Sequence, residues 1–327
     1  MAQRILERGQ IETLAQRDIP RIVLPARDDV FAARARRLRA LAATSAIGGY
    51  LDLVAAAADA QQAALAAIAA HELARLQGAA AMQRPPAAAQ AGMPSLPADG
   101  LARDPAWRSL LQQIVAACRE HPAFPPAARA VLARLAEADD AWLEAQADAV
   151  LGVPGARAPD VAAAPFVMAA LQVLWVILLL GLPAGALAPM ADAPGLCPCC
   201  GTPPVASLVH ATGAQAGYRF LACPLCACQW HCVRVQCTRC HAAGDAIAYH
   251  TLATVDAVDE TVAKDAAVRA ETCTQCHGYR IILYLEKDST LEAVADDLAA
   301  YALGVLLAEQ GFERMSGNPL LWQGAER

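Results

Sequence analysis

The sequence predicts an α + small β protein: an all-α N-terminal domain, two small cysteine-rich β modules and a C-terminal helix. Three observations predict it. From Asp28 to about residue 182, apolar side chains recur at helical spacing. Eleven of the twelve cysteines lie between Cys197 and Cys276, interleaved with short strand-like runs. A stretch rich in Pro, Gly and Ala, residues 183–195, separates the two regions. The expected division is residues 1–182, the linker 183–195, the modules 196–236 and 237–285, and the helix and tail 286–327.

Composition bounds the function. The 327 residues carry a formal charge of -6 and are 57% apolar, which excludes disorder for most of the chain. The only lysines are Lys264 and Lys287. A nucleic-acid binder driven by bulk basic charge is excluded, because phosphate contacts need clustered Lys and Arg. The segment Met1–Arg8 alternates charged and apolar residues and has no apolar core, so it does not read as a secretory signal. The expectation is a cytoplasmic protein, where paired cysteines bind metal or do redox work more often than they form structural disulfides.

Along the N-terminal domain, Pro20 and Pro25 interrupt the first segment. Asp28 or Asp29 can cap a helix carrying Phe31, Leu38 and Leu41. A second, alanine-rich helix is expected from Tyr50 to about Leu76. Residues 78–100, with Pro85, Pro86, Pro94 and Pro97, read as a mobile loop. Helical pattern resumes over 105–119 and 126–151, and Cys118 reads as a helix-core residue. The stretch 161–182 has 22 uncharged residues, and a membrane span needs about 20. Pro165 and Gln172 weaken that reading, and no Lys or Arg follows until Arg219. A helix apolar all round because it is buried all round is the favoured reading, with no stable membrane span.

Four Cys-x-x-Cys pairs follow: Cys197/Cys200, Cys223/Cys226, Cys237/Cys240 and Cys273/Cys276. Each pair can form a knuckle, a tight turn aiming two thiolates at one metal. Two knuckles complete a tetrahedral four-sulfur site suited to zinc or a single iron. Eight ligands make two sites, most simply paired in sequence order; spacing alone leaves an interleaved arrangement open. Gly201 directly follows Cys200, and Gly278 follows Cys276 by two, as the tight backbone of a knuckle favours. Strand-like runs at Tyr218–Leu221, Trp230–Val235 and Tyr279–Leu285 are the ribbons of rubredoxin-like or zinc-ribbon modules. Cys199, Cys228 and Cys232 are surplus and read as small buried residues.

Other chemistries are weaker. Cys237–His241 and Cys273–His277 match Cys-x-x-Cys-His, the haem-attachment motif, but two further pairs lack the histidine. A thioredoxin-like role lacks its βαβ context. Between 193 and 280, six basic and six acidic residues cancel, a poor footprint for phosphate binding. His231 and Arg234 are candidates for contacts around a metal site or with a partner. In the C-terminal helix, Ser289 and Glu292 fit a capping box. Leu291, Val294, Leu298, Tyr301 and Val305 form a stripe ending at Gly311. Asp296 and Asp297 read as a solvated face, or as an acidic spot for a partner.

These residues carry a resemblance. Cys197-Pro-Cys-Cys200-Gly201, Arg219-Phe-Leu-Ala-Cys223-Pro-Leu-Cys226 and Trp230-His231-Cys-Val-Arg234-Val-Gln-Cys237-Thr-Arg-Cys240 resemble the FdhE family. So do Glu271-Thr-Cys273-Thr-Gln-Cys276, Val294-Ala-Asp296-Asp297-Leu298, Glu309-Gln-Gly311-Phe312 and Asn318-Pro319. Ile5-Leu6 and Gly49-Tyr50-Leu51 extend the match weakly to the N-terminus. The resemblance implies a non-enzymatic accessory protein for assembly of respiratory formate dehydrogenase. It implies a cytoplasmic chaperone that binds the immature catalytic subunit before export. It also implies iron in two rubredoxin-like sites built from the eight paired cysteines, with zinc the alternative occupant; a homodimer is left open. Two rival functions remain: a redox-active iron or thiol oxidoreductase acting on the client, and a zinc-ribbon nucleic-acid adaptor.

Overall fold

The computed structural model describes residues 20–83, 92–183, 186–188, 190, 193–252 and 265–322. Met1–Arg8, Pro85, Pro86, Asp256, Asp259, Glu260 and Lys264 lie outside the described residues. After a short strand β1 (Ile22–Val23) come seven helices. They are α1 (Val30–Ala42), α2 (Gly48–Ala67), α3 (Ala70–Gln83), α4 (Ala106–Glu120), α5 (Pro126–Glu137), α6 (Asp140–Leu151) and α7 (Ala164–Leu180). The helix expected over 50–76 is two helices, bent by 95° at an extended Ile68. No Pro or Gly marks that break; α3 turns to lay Leu76 and Ala80 into the core. The stretch 126–151 also divides. Asp139 ends the gap as an N-cap, its carboxylate accepting the Trp142 amide at 2.8 Å. At the start of α1, Asp29 makes no capping bond and pairs instead with Arg36.

Helix α7 is the axis of this body. Every residue in it except Pro165 and Leu180 is buried, and Cys118 is buried in the same apolar cluster. Among the described residues no single helix is long and apolar enough to cross a membrane. Gln172, the lone polar side chain in α7, is fully engaged. Its Oε1 accepts from Gln61 at 2.8 Å and from Arg34 at 3.4 Å. Its Nε2 donates to the Pro224 carbonyl at 2.6 Å. A buried amide left unpaired would be costly, so this network places α7 against the cysteine region rather than against a generic apolar surface.

The loop expected to be mobile is partly structural. Ser95, Leu96 and Ala98 are buried. Their amides donate to the carbonyls of Pro198, Cys199 and Cys200 at 3.2, 2.6 and 2.9 Å. Backbone groups that would be solvated in a free loop are here paired like an added strand.

The second half is built on strands β2 (Ala206–Val209), β3 (Arg219–Ala222), β4 (Gln229–Cys232), β5 (Ile247–His250), β6 (Val268–Cys273), β7 (Gly278–Tyr284) and β8 (Glu313–Arg314). Together with β1 they form one sheet of order β1-β4-β3-β2-β7-β6-β5, with β8 on β7. The two cysteine modules therefore share a sheet, joined where β2 and β7 run parallel with Ala206 opposite Ile281. The expected strand over Trp230–Val235 ends at Cys232, and Val233 and Val235 are exposed.

The C-terminal helix departs from its sequence pattern. It is two helices, α8 (Ala293–Ala299) and α9 (Tyr301–Glu309). The Ser289–Glu292 capping box does not form. Glu292 is itself the cap, its carboxylate accepting the amides of Val294 and Ala295 at 3.0 and 2.7 Å. Leu291, Val294 and Leu298 are buried as expected, but the break at Ala300 turns Tyr301 and Val305 outward and Leu303 and Leu307 inward. Asp296 and Asp297 are buried, not solvated. Asp296 accepts from Arg37 at 2.7 Å, and Asp297 accepts from Arg314 and, at 2.7 Å, from Asn318. Both acids anchor α8 within the chain, since a buried carboxylate needs such partners. Burial still pushes both carboxyls above their ordinary range.

Candidate metal centres

The knuckles build themselves from local backbone bonds. In the first, Gly201 N–H donates to Cys197 O and Cys197 N–H to Thr202 O, at 2.8 and 3.1 Å. In the third, His241 donates to Cys237 O and Cys237 to Ala242 O, at 3.1 and 2.7 Å. The residue after each second cysteine is left-handed: Gly201 (φ 78°), Ala227 (57°), His241 (62°) and His277 (54°). That conformation costs a non-glycine residue on the order of 1–3 kcal/mol and persists only where surroundings impose it. It also explains the two Cys-x-x-Cys-His matches: the histidines stand at turn positions, and the thiols beside them face other thiols. Gly278 serves differently from expectation. Its φ is not left-handed, but a Cβ there would lie 2.8 Å from Met315 Cε and 3.4 Å from Cys276 Sγ.

The knuckles converge in sequence order. Site 1 brings together Cys197, Cys200, Cys223 and Cys226; site 2 brings together Cys237, Cys240, Cys273 and Cys276. In each, the four sulfurs lie within 4.8 Å of one another. Closest pairs are Cys197–Cys226 at 3.6 Å and Cys200–Cys223 at 3.4 Å, then Cys237–Cys276 and Cys240–Cys273 at 3.6 Å. A tetrahedral metal with bonds of about 2.3 Å needs a sulfur–sulfur edge of about 3.8 Å, so these donor sets fit. Amides of Leu225 and Cys226 point at Cys223 Sγ, and that of Arg239 at Cys237 Sγ, each at 3.4 Å. Such donors stabilise thiolate charge around a metal.

The environments of the two sites differ. All four site 1 cysteines are at most 2% exposed and belong to the same apolar cluster as α7. Burial pushes the thiols of Cys197 and Cys226 well up. At Cys200 burial acts the same way but is outweighed by contacts from the Cys197 and Cys223 thiols, which bring it down. At site 2, Cys240 and Cys276 are only half-buried, and His241 and His277 beside them are exposed. The Ala242 amide holds the Cys240 thiol below its ordinary value.

The remaining candidates fall elsewhere. Cys199, Cys228 and Cys232 are buried, and neither four-sulfur group includes them. His231 packs edge-on against Tyr218 and Phe220, with ring centroids 5.8 Å away in each case. Arg234 is exposed and donates to the Gly217 carbonyl at 3.3 Å. Residues the sequence reading did not single out as positioning groups are Gln172, Arg219 and Arg280. Gln172 was visible as the one polar residue of an apolar helix. Nothing local marks the arginines as buried.

Comparison with known proteins covers nearly the whole chain. Residues 19–192 match the family description "FdhE, N-terminal", residues 196–234 "FdhE, central domain", and residues 235–321 "FdhE, C-terminal domain". The chain belongs to the FdhE family. The FdhE homolog of Pseudomonas aeruginosa is 40% identical over the full length of both chains. That of Cronobacter sakazakii is 37% identical over 99% of each, and the FdhE protein of Salmonella enteritidis 36% over 99% of each. The crystal structure of the Pseudomonas aeruginosa FdhE protein matches with a TM-score of 0.75 at 39% identity, covering 94% of this chain and 100% of that one. The FdhE architecture is thus a helical body, a shared sheet with two four-cysteine groups, and C-terminal helices.

Proposed function

We propose that this protein is a non-enzymatic accessory factor for the assembly of formate dehydrogenase. It acts in the cytoplasm, binds the immature catalytic subunit before export, and holds two metal ions, iron in the leading reading. The observation that carries this is full-length FdhE membership together with two complete four-sulfur groups. The eight cysteines Cys197, Cys200, Cys223, Cys226, Cys237, Cys240, Cys273 and Cys276 would be the ligands. Bound metal would supply folding free energy and, if iron, a redox-titratable centre. The protein's own residues do the rest: amides aimed at the sulfurs hold thiolate charge, and α7 keeps water from site 1. Arg234, His241 and His277 are exposed groups available to a client, and the half-buried His231 packs against Tyr218 and Phe220. Asp296 and Asp297 are buried and fix α8, so they do not touch the client themselves.

Affinity capture from anaerobically grown cells tests the reading. Recovery of a formate dehydrogenase catalytic subunit is the expected outcome. A deletion strain with normal formate dehydrogenase activity and no captured subunit would overturn it. An absorbance spectrum separates iron from zinc, because ferric iron in four thiolates is strongly coloured and zinc is colourless. The half-exposed site 2 favours one second reading, a redox exchange with the client. That reading requires a coloured site 2 that bleaches on reduction.

A further inference from the structure

We infer that the two metal sites are coupled: loading one raises the metal affinity of the other, and Arg280 is the positioning residue that links them. The inference rests on the reading of both four-cysteine groups as metal sites, and concerns their interdependence.

Two buried arginines tie all four knuckles together. Arg280 lies on β7, four residues after Cys276, and is buried. Its Nε donates to Thr238 Oγ1 at 3.2 Å, inside the third knuckle. Its guanidinium also donates to the Pro204 carbonyl, just past the first knuckle, and to Ser316 Oγ at 2.9 Å. Arg219 lies four residues before Cys223, fully buried on β3. It donates to the carbonyls of Val233, Arg234 and Gln236 at 3.3, 3.3 and 3.0 Å, on the segment that delivers Cys237. It also pairs with Glu271 at 2.8 Å, two residues before Cys273. Gly195, two residues before Cys197, lies so close to the third knuckle that a Cβ on it would collide with the Thr238 carbonyl oxygen.

The physical consequence follows from burial. A guanidinium without water needs its acceptors in place, and leaving it unpaired is strongly unfavourable. Arg280 draws those acceptors from beside both sites. Metal at site 1 fixes the chain leading to Pro204, and metal at site 2 fixes Thr238. Either event supplies acceptors that the other half needs. Such a coupling is reciprocal by thermodynamic linkage.

The test is cobalt(II) binding to the full chain, followed by its thiolate charge-transfer absorbance. Cys273→Ser/Cys276→Ser is expected to lower the affinity of site 1 by about tenfold, and Cys223→Ser/Cys226→Ser to lower that of site 2 by the same factor. Arg280→Lys keeps every cysteine and the charge but cannot span the same acceptors. In its background both factors should shrink toward one while two cobalt ions still bind. Circular dichroism checks the fold of each variant. If the Cys223/Cys226 variant does not fold, the Cys273/Cys276 arm decides alone, because reciprocity demands the same factor. Unchanged site 1 affinity in that variant, or a loss that persists undiminished with Arg280→Lys, overturns the coupling. Absence of cobalt binding in the native chain would instead overturn the metal-site reading itself.

Discussion

Site 1 and site 2 share one local design and occupy opposite environments. Both use knuckles with the same backbone bonds and the same left-handed residue after the second cysteine. Site 1 is sealed by Gln172 of α7 from one side and by the 95–98 segment from another. At site 2, Cys240 and Cys276 are only half-buried. The difference teaches that a four-cysteine group reports ligand chemistry, while its surroundings decide what the metal does. A metal at site 1 would be a keystone between helical body and sheet. A metal at site 2 would be within reach of water, chelators and partners.

The largest expected effect tests the keystone. Cys223→Ser/Cys226→Ser should remove about half the bound metal and unfold the contact between helical body and sheet. A structural four-sulfur metal contributes on the order of 10–16 kcal/mol to folding, so the melting transition should fall in temperature and broaden. Metal analysis with a circular dichroism melt checks this, and undiminished metal content would end the two-site description. The matched change at site 2, Cys273→Ser/Cys276→Ser, should also cost about half the metal. It should leave most of the helical signal and its transition intact. Equal collapse in both variants would erase the distinction drawn between the sites.

A smaller effect isolates the seal. Gln172→Leu leaves Arg34, Gln61 and the Pro224 carbonyl without their shared partner, at a cost of about 1–3 kcal/mol. Denaturant titration should show that loss, and chelator removal of metal from site 1 should become faster. No change in either would mean the network does not hold α7 to the second knuckle.

The smallest effects separate the sites by pH. Thiolate ligands compete with protons, so acid should release metal, and from site 2 first. Cys118 behaves in the opposite sense. Burial pushes its thiol up to about 12 from an ordinary value of 9.0. The folded chain therefore favours the neutral form, and this contribution is present below about pH 9 and is lost as pH rises toward 12. Tyr50, pushed by burial to about 12, acts with the same sign. Cys118→Ala should flatten the alkaline fall in stability without changing metal content. An unchanged alkaline slope would remove Cys118 as its source.

The legible parts of this protein are those whose causes are local. Four Cys-x-x-Cys pairs carry their own turn geometry in about six residues each, so their existence could be read from spacing, while their sequential grouping, only the simplest choice on spacing, needed the structure. The buried helix α7 was legible because its apolar character has no polar face to orient. The capping box was misread because Ser289 and Glu292 satisfy a local rule, while Glu292 alone sits where α8 begins. Asp296 and Asp297 looked solvated because nothing nearby in sequence announces Arg37 or Arg314 as partners. The bend at Ile68 has no breaker residue to signal it.

By itself the sequence determined the helical body, the eight-cysteine array and the family; how the four knuckles pair came from the structure. Tertiary structure alone decided which site is sealed and which is open, because that depends on contacts between residues far apart in the chain. Gln172 reaches Pro224 across 52 positions, and Arg280 reaches Pro204 across 76. Knuckle geometry is a short-range property of backbone sterics and local hydrogen bonds. Burial is a long-range property, set only when helix, loop and sheet have all found one arrangement that pairs nearly every buried polar group.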